Sequence, residues 1–153
     1  RANLILGGVG GTIISKQLLA EQFNFAVSDI KSFSVFDNDV YAEITRESYK
    51  PSPHTEHTIP YLFSNNSALT FIEEKDGYFT QTEGNFCFRC DELLYVKIKG
   101  AKKIGASSFL EAVKLIPQKC DFSGLEEING TSAFRGILTQ DTVSFPNLLR
   151  IEG

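Results

Sequence analysis

Residues 121–134 read DFSGLEEINGTSAF. Leu125 and Ile128 stand three apart, a turn-prone DFSG element precedes them, and small residues ending on Phe134 follow. Whether this spacing recurs decides the fold, because an overlooked repeat misreads every later element. Counting this one, it occurs four times behind a turn-like element. Leu-x-x-Ile/Val occurs as Leu69/Ile72, Leu93/Val96, Leu125/Ile128 and Leu148/Ile151, each Leu following a turn-like element: NNSA, RCDE, DFSG and SFPN. The Leu-to-Leu steps are 24, 32 and 23 residues. The long step contains SSFLEAVKLIPQKC, read as a divergent extra turn centred on Leu115. Behind the strands, Ile104 precedes Phe109, Ile128 precedes Phe134, and FIEEKDGYFTQTEGNF closes on Phe86.

One such unit cannot bury its apolar face alone, so stacked neighbours are expected. The pattern predicts a β-rich leucine-rich-repeat solenoid with short helices over residues 31–153. Its repeat core comprises Leu69, Ile72, Leu93, Val96, Ile98, Ile104, Phe109, Leu125, Ile128, Phe134, Leu148 and Ile151. LLYVKIKG shows the strand alternation best, with Val96 and Ile98 inward and Tyr95, Lys97 and Lys99 outward. GASSFLEAVKL reads as a short helix capped by Ser108.

FRCDELLYVKIKGAKKIGASSF and FSGLEEINGTSAFRG resemble the leucine-rich repeats of BspA-like proteins. The matching residues are Cys90, Leu93, Val96, Ile98, Ile104, Gly105, Ser108 and Phe109, then Leu125, Ile128, Ala133 and Phe134. The likeness covers residues 60–153. It departs from the pattern in unit length and in RGILTQDTVSFPNL, an insertion before Leu148. The resemblance implies bacterial surface adhesins or fibre-like virion proteins of phages that infect Bacteroidetes. SFSVFDNDVYAEITRESYKPS followed by FSNNSALTFI is closer to the phage group. The implied function is a non-enzymatic structural or adhesive element of a virion fibre or tail-associated protein, the alternative being a bacterial surface adhesin. Implied partners are other virion or surface proteins, a host surface protein or glycan, and further copies of the chain in a homo-oligomer.

Residues 1–30 read as a capping or attachment segment. NLILGGVGGTIISKQLLAEQF gives a strand, a glycine-rich turn and a helix with Ile14, Leu18, Leu19 and Phe23 on one face. A rival reading is a Rossmann-like nucleotide-binding enzyme domain, with Gly7, Gly8, Gly10 and Gly11 near a phosphate and Asp37 on a ribose. Against it, Ile13 occupies the position of the third motif glycine, and no strand–helix alternation continues beyond residue 50.

The chain has 153 residues, a net charge of −4 and a pI near 5.2. That disfavours nucleic acid, and the basic cluster Lys97, Lys99, Lys102 and Lys103 is short. There is no Met, which points to a cleaved or excerpted chain, and further repeats are expected beyond the strand-like LLRIEG. No secretory signal is visible, and no run approaches the ~18 apolar residues of a membrane span. Three cysteines do not make a disulfide framework. His54/His57 in HTEH and Cys87/Cys90 in CFRC have zinc-like spacings, yet a proline-flanked polar loop and repeat positions explain them better. EEKD (73–76) lacks a calcium-loop pattern, and Cys120 reads as a small buried residue. No cofactor, metal or catalytic residue is predicted.

Overall fold

The computed structural model describes residues 2–23, 25–45, 63–64, 66–75, 87–88, 90–99, 103–104, 109–110, 114–128 and 150–151. The elements are β1 (Ala2–Gly7), α1 (Lys16–Gln22), β2 (Ile30–Phe36), β3 (Asp39–Ile44), β4 (Phe63–Ser64), β5 (Phe71–Glu74), β6 (Cys87–Phe88), β7 (Tyr95–Lys97), β8 (Lys103–Ile104), β9 (Phe109–Leu110), β10 (Glu127–Ile128) and β11 (Arg150–Ile151). A five-stranded mixed sheet, ordered β2-β3-β1-β5-β7, carries the fold. β1 is antiparallel to both β3 and β5, whereas β5 and β7 are parallel. Two small parallel sheets, β11-β10-β8 and β4-β6-β9, complete the described strands.

β2 and β3 form a hairpin because SFSVF and DVYAEI are β-prone and the two residues between them tolerate the left-handed region. Asp37 (φ 50°) and Asn38 (φ 65°) are both in that region, as a type I′ turn requires. β1 and β2 are each antiparallel to β3, which lies between them, so β1–α1–β2 is a split crossover. α1 has only seven residues and would be marginal alone. The Ser15 hydroxyl caps it by accepting from the Leu18 N–H at 3.2 Å. Its main support is burial: Leu19 and Ala20, with Phe23 at its C-terminus, enter the core.

That core is one cluster. The inner sheet face contributes Leu4, Leu6, Val40, Ala42, Ile44, Ile72, Val96 and Ile98. Leu69, Cys90, Leu93, Leu115, Phe122 and Leu125 close it from the following loops. Each fully buried Leu or Ile contributes roughly 1.5–3 kcal/mol of transfer free energy.

The expected repeat solenoid is corrected by this sheet. Its middle and one edge come from residues 2–44, which have no repeat and pair antiparallel. The N-terminal segment is therefore neither a cap nor an appended attachment: β1 lies centrally, and Leu19 and Phe23 are inside the same core. Phe109–Leu110 is a strand, where a helix from Ser108 was expected.

The Leu-x-x-Ile signal had a local cause. Three of its leucines follow a tight turn that their own N–H closes three residues back, onto a backbone carbonyl in two cases and an Asn side chain in the third. The Leu93 N–H donates to the Cys90 carbonyl at 3.1 Å and the Leu125 N–H to the Phe122 carbonyl at 2.9 Å. The Leu69 N–H donates to Asn66 Oδ1 at 3.1 Å. The 24-residue step is the register of one parallel pair, in which Ile72 faces Val96. Backbone bonds from Leu94 N–H to the Thr70 carbonyl and from Ile116 N–H to the Leu94 carbonyl, both 2.7 Å, continue it.

Of the expected repeat-core residues, Leu69, Ile72, Leu93, Val96, Ile98 and Leu125 are buried. Ile104, Phe109, Ile128 and Ile151 lie in β8, β9, β10 and β11. Phe134 and Leu148 fall outside the described residues.

Candidate functional site

The sheet has two unlike faces. Strand alternation sends one set of side chains into the core and the other outward. Cross-strand register sets two outward rows: Ser34, Tyr41, Ile5, Glu73 and Lys97, then Phe36, Asp39, Gly7, Phe71 and Tyr95. Tyr41 is 40% exposed and Phe36 66%. Beside Tyr41, a shallow depression of about 370 Å³ opens between Asn3, Ser32, Ser34, Glu43 and Lys75.

An aromatic pair anchors the far end. The Phe71 and Tyr95 rings stack with centroids 4.9 Å apart and planes 6° from parallel. Gly7 makes this possible, since a Cβ there would enter the Phe71 ring, which lies across the β1 backbone. The Tyr95 hydroxyl donates to Glu73 Oε1 at 3.1 Å, and Glu73 pairs with Lys75 at 3.1 Å. Lys97 Nζ sits 5.1 Å from the Tyr95 ring centre, within cation–π range. Burial, the Glu73 hydrogen bond, and the nearby charges of Glu73 and Asp39 push the Tyr95 phenol up to about 12. The cluster thus offers aromatic surface, a carboxylate and two ammonium groups within a few ångströms.

The glycine turn is built differently from a phosphate cradle. The Gly8 N–H donates to Asp39 Oδ1 at 3.1 Å, the Gly10 N–H to the Asn38 carbonyl at 2.9 Å, and the Gly11 N–H to Asn38 Oδ1 at 2.9 Å. Asn38 Nδ2 returns a bond to the Gly8 carbonyl at 3.4 Å. The donors that would meet a phosphate already hold the tip of the β2–β3 hairpin. Gly8 has φ +83°, and an added Cβ would strike the Ala68 carbonyl. Asp37 belongs to the hairpin turn, not to a strand end beside a nucleotide.

Other sequence candidates separate. Glu73 and Glu74 occupy opposite faces of β5: Glu73 lies outward and Glu74 is buried in the row of Leu4. They do not converge as calcium ligands. Among the described residues, no three His, Cys, Asp or Glu side chains gather where a metal ion would sit. His54 and His57 lie outside those residues, and Cys87 is placed in β6. Cys90 is fully buried. Burial pushes the Cys120 thiol up, while the Val96 backbone hydrogen bond and Lys97 act in the opposite direction. Asp121 is held below the usual carboxylate range, mainly by its hydrogen bond with the Ser123 side chain. Ser123 N–H also donates to Asp121 Oδ1 at 3.0 Å, so this carboxylate is part of a turn.

Of the expected attachment residues, Ile14 precedes α1 and is 75% exposed, Leu18 packs against the core edge, and Leu19 and Phe23 are fully buried. The alternation Tyr95–Lys97–Lys99 against Val96–Ile98 matches the sequence pattern. Phe71 and Glu73 were not legible as partners of Tyr95, because they meet it only through strand pairing, and Tyr41 joins the same face from β3. Among the described residues, no helix is long and apolar enough to cross a membrane. No known protein family, curated protein or solved structure matches the chain.

Proposed function

We propose that the chain is a non-enzymatic recognition element whose outward sheet face binds a glycan. The observation that carries this reading is the Phe71–Tyr95 stack ringed by Glu73, Lys75 and Lys97, with exposed Tyr41 on the same face. Aromatic surface suits the C–H face of a sugar ring, and the carboxylate and ammonium groups suit its hydroxyls. A flat, half-polar face fits recognition better than catalysis, which needs a closed pocket with converging groups. The setting proposed for this binding is a virion fibre or tail-associated protein, with a bacterial surface adhesin as the alternative. Its support is the sequence likeness alone.

The test is a glycan array probed with the labelled 153-residue chain, followed by Tyr41→Ala and Lys97→Ala. Both side chains are at the surface, so folding is expected to be retained. Each change is expected to weaken binding on the order of tenfold, about 1.4 kcal/mol. Absence of any glycan binding, or binding that survives both substitutions, refutes the reading.

A further inference from the structure

β2 is an edge strand of the main sheet, and its five-residue run Ser32–Phe36 reads SFSVF. It has no charge and no proline, the usual safeguards against edge pairing. Val35 is 44% exposed and Phe36 66%. The safeguards present lie before this run. A bulge falls between Ile30 and Ser32, and the Lys31 carbonyl is taken by Lys16 Nζ at 3.1 Å. Among the described residues, the open part of the edge is therefore 32–36, with Ser34 at its centre.

The hairpin fixes which backbone groups face out. A two-residue turn makes Phe36 and Asp39 a hydrogen-bonded pair, and the alternation then turns Ser34 toward β3. Phe33 and Val35 consequently point their N–H and C=O groups to the open side. A second copy related by a two-fold axis normal to the sheet must match inner residues with inner ones. Residue numbers facing each other then sum to an even value. Centring on Ser34 places Phe33 against Val35 twice, giving two backbone-bonded pairs with apolar side chains on the core face. It also brings Lys31 of each copy, exposed and 3.7 Å from its own Glu43, opposite the Asp37 turn of the other, so opposite charges flank the junction. Centring on Phe33 or Val35 loses this match: Lys31 meets Val35 in the first, and Phe33 meets Asp37 in the second.

We propose that β2 is a self-complementary dimerisation edge, pairing antiparallel with β2 of a second copy about an axis at Ser34 and joining the two sheets into one. This is independent of the glycan reading, because it uses the edge of the sheet and not its outward face.

Sedimentation velocity of the 153-residue chain up to concentrations on the order of 100 μM is expected to show a monomer–dimer equilibrium, as suits a small interface. Val35→Pro removes an outward N–H and leaves the β3 ladder intact, so it is expected to give a folded monomer. Ser34→Cys gives a measurement that does not depend on that variant folding. Residues at 34 form a non-hydrogen-bonded pair across the axis, with Cα atoms about 4.5 Å apart, inside the roughly 4.4–6.8 Å range of disulfides. Mild oxidation is expected to yield a covalent dimer linked at position 34, faster than Ser32→Cys, whose side chain faces Phe36 of the partner. A wild-type chain that remains monomeric throughout overturns the proposal. So does a Ser34→Cys chain that links no faster than Ser32→Cys.

Discussion

Residues 2–45 and residues 66–128 line the same core, but they are held there by different means. In the first region, β1, β2 and β3 pair antiparallel over five to six positions, joined by a split crossover and a two-residue turn. In the second, β5 and β7 share three parallel positions, followed by a single bridge from Lys97 to Asp121. The second region relies on turns at Asn66, Cys90 and Phe122, and on backbone bonds between chain segments 22 to 25 residues apart. The first is stabilised by ladders, the second by corners. Ladder strands alternate inside and outside, so the first region contributes both core and surface. Corners place one Leu inward per pass, which is why the second region looks repetitive in sequence.

The largest expected effect tests whether the two regions fold together. Leu6→Ala and Leu93→Ala remove the same side chain from sites without solvent exposure, one in each region. Each is expected to cost about 2–5 kcal/mol in denaturant unfolding. Both should move one shared transition; a separate early transition after Leu93→Ala would divide the molecule into two folding units.

Next is the junction between the regions. Gly8→Ala forces a side chain onto a left-handed backbone and against the Ala68 carbonyl. The expected cost is about 1–3 kcal/mol from backbone strain, read as a lower unfolding midpoint. Ser15→Ala removes the cap of α1 and is expected to cost about 1 kcal/mol, confined to the ladder region. Amide exchange should speed up in residues 16–22 and leave 90–99 unchanged.

Tyr95 reports on the surface of the corner region. Its phenol is raised from about 10 to about 12, so the neutral form is favoured by the fold. The associated stability is present below pH 10 and is lost as the pH rises through 12. Ultraviolet titration should show a late phenol that is lost in Tyr95→Phe, and Glu73→Gln should bring it back toward 10. Smallest is Lys114→Ala, which breaks the exposed pair with Glu92 at 2.9 Å. Its effect is expected to stay within about 0.5 kcal/mol.

The corner region was the more legible in sequence. Leu69, Leu93 and Leu125 each follow a turn and point inward, so a local probe finds them. That same legibility misled the fold. The probe extended a local motif into a global one, and nothing in it registers what lies beside β5. The ladder region carried its own signal: Asp37-Asn38 between SFSVF and DVYAEI is a two-residue hairpin turn. Read within a longer stretch, its Asp37 suggested a ribose ligand. The glycines of the GGVGG run were open to a plain turn or a phosphate reading, because their partners Asn38, Asp39, Ala68 and Phe71 are distant in sequence. The outward face was legible only at Tyr95, Lys97 and Lys99; Tyr41, Phe71 and Glu73 join it through pairing across three strands.

The Phe71 ring lying across Gly7 binds two distant positions into one unit of inheritance. A side chain gained at 7 evicts the ring, and a smaller residue at 71 frees 7 to vary. Among descendants of this sequence, the two positions should drift as a pair, and either changed alone should be rare.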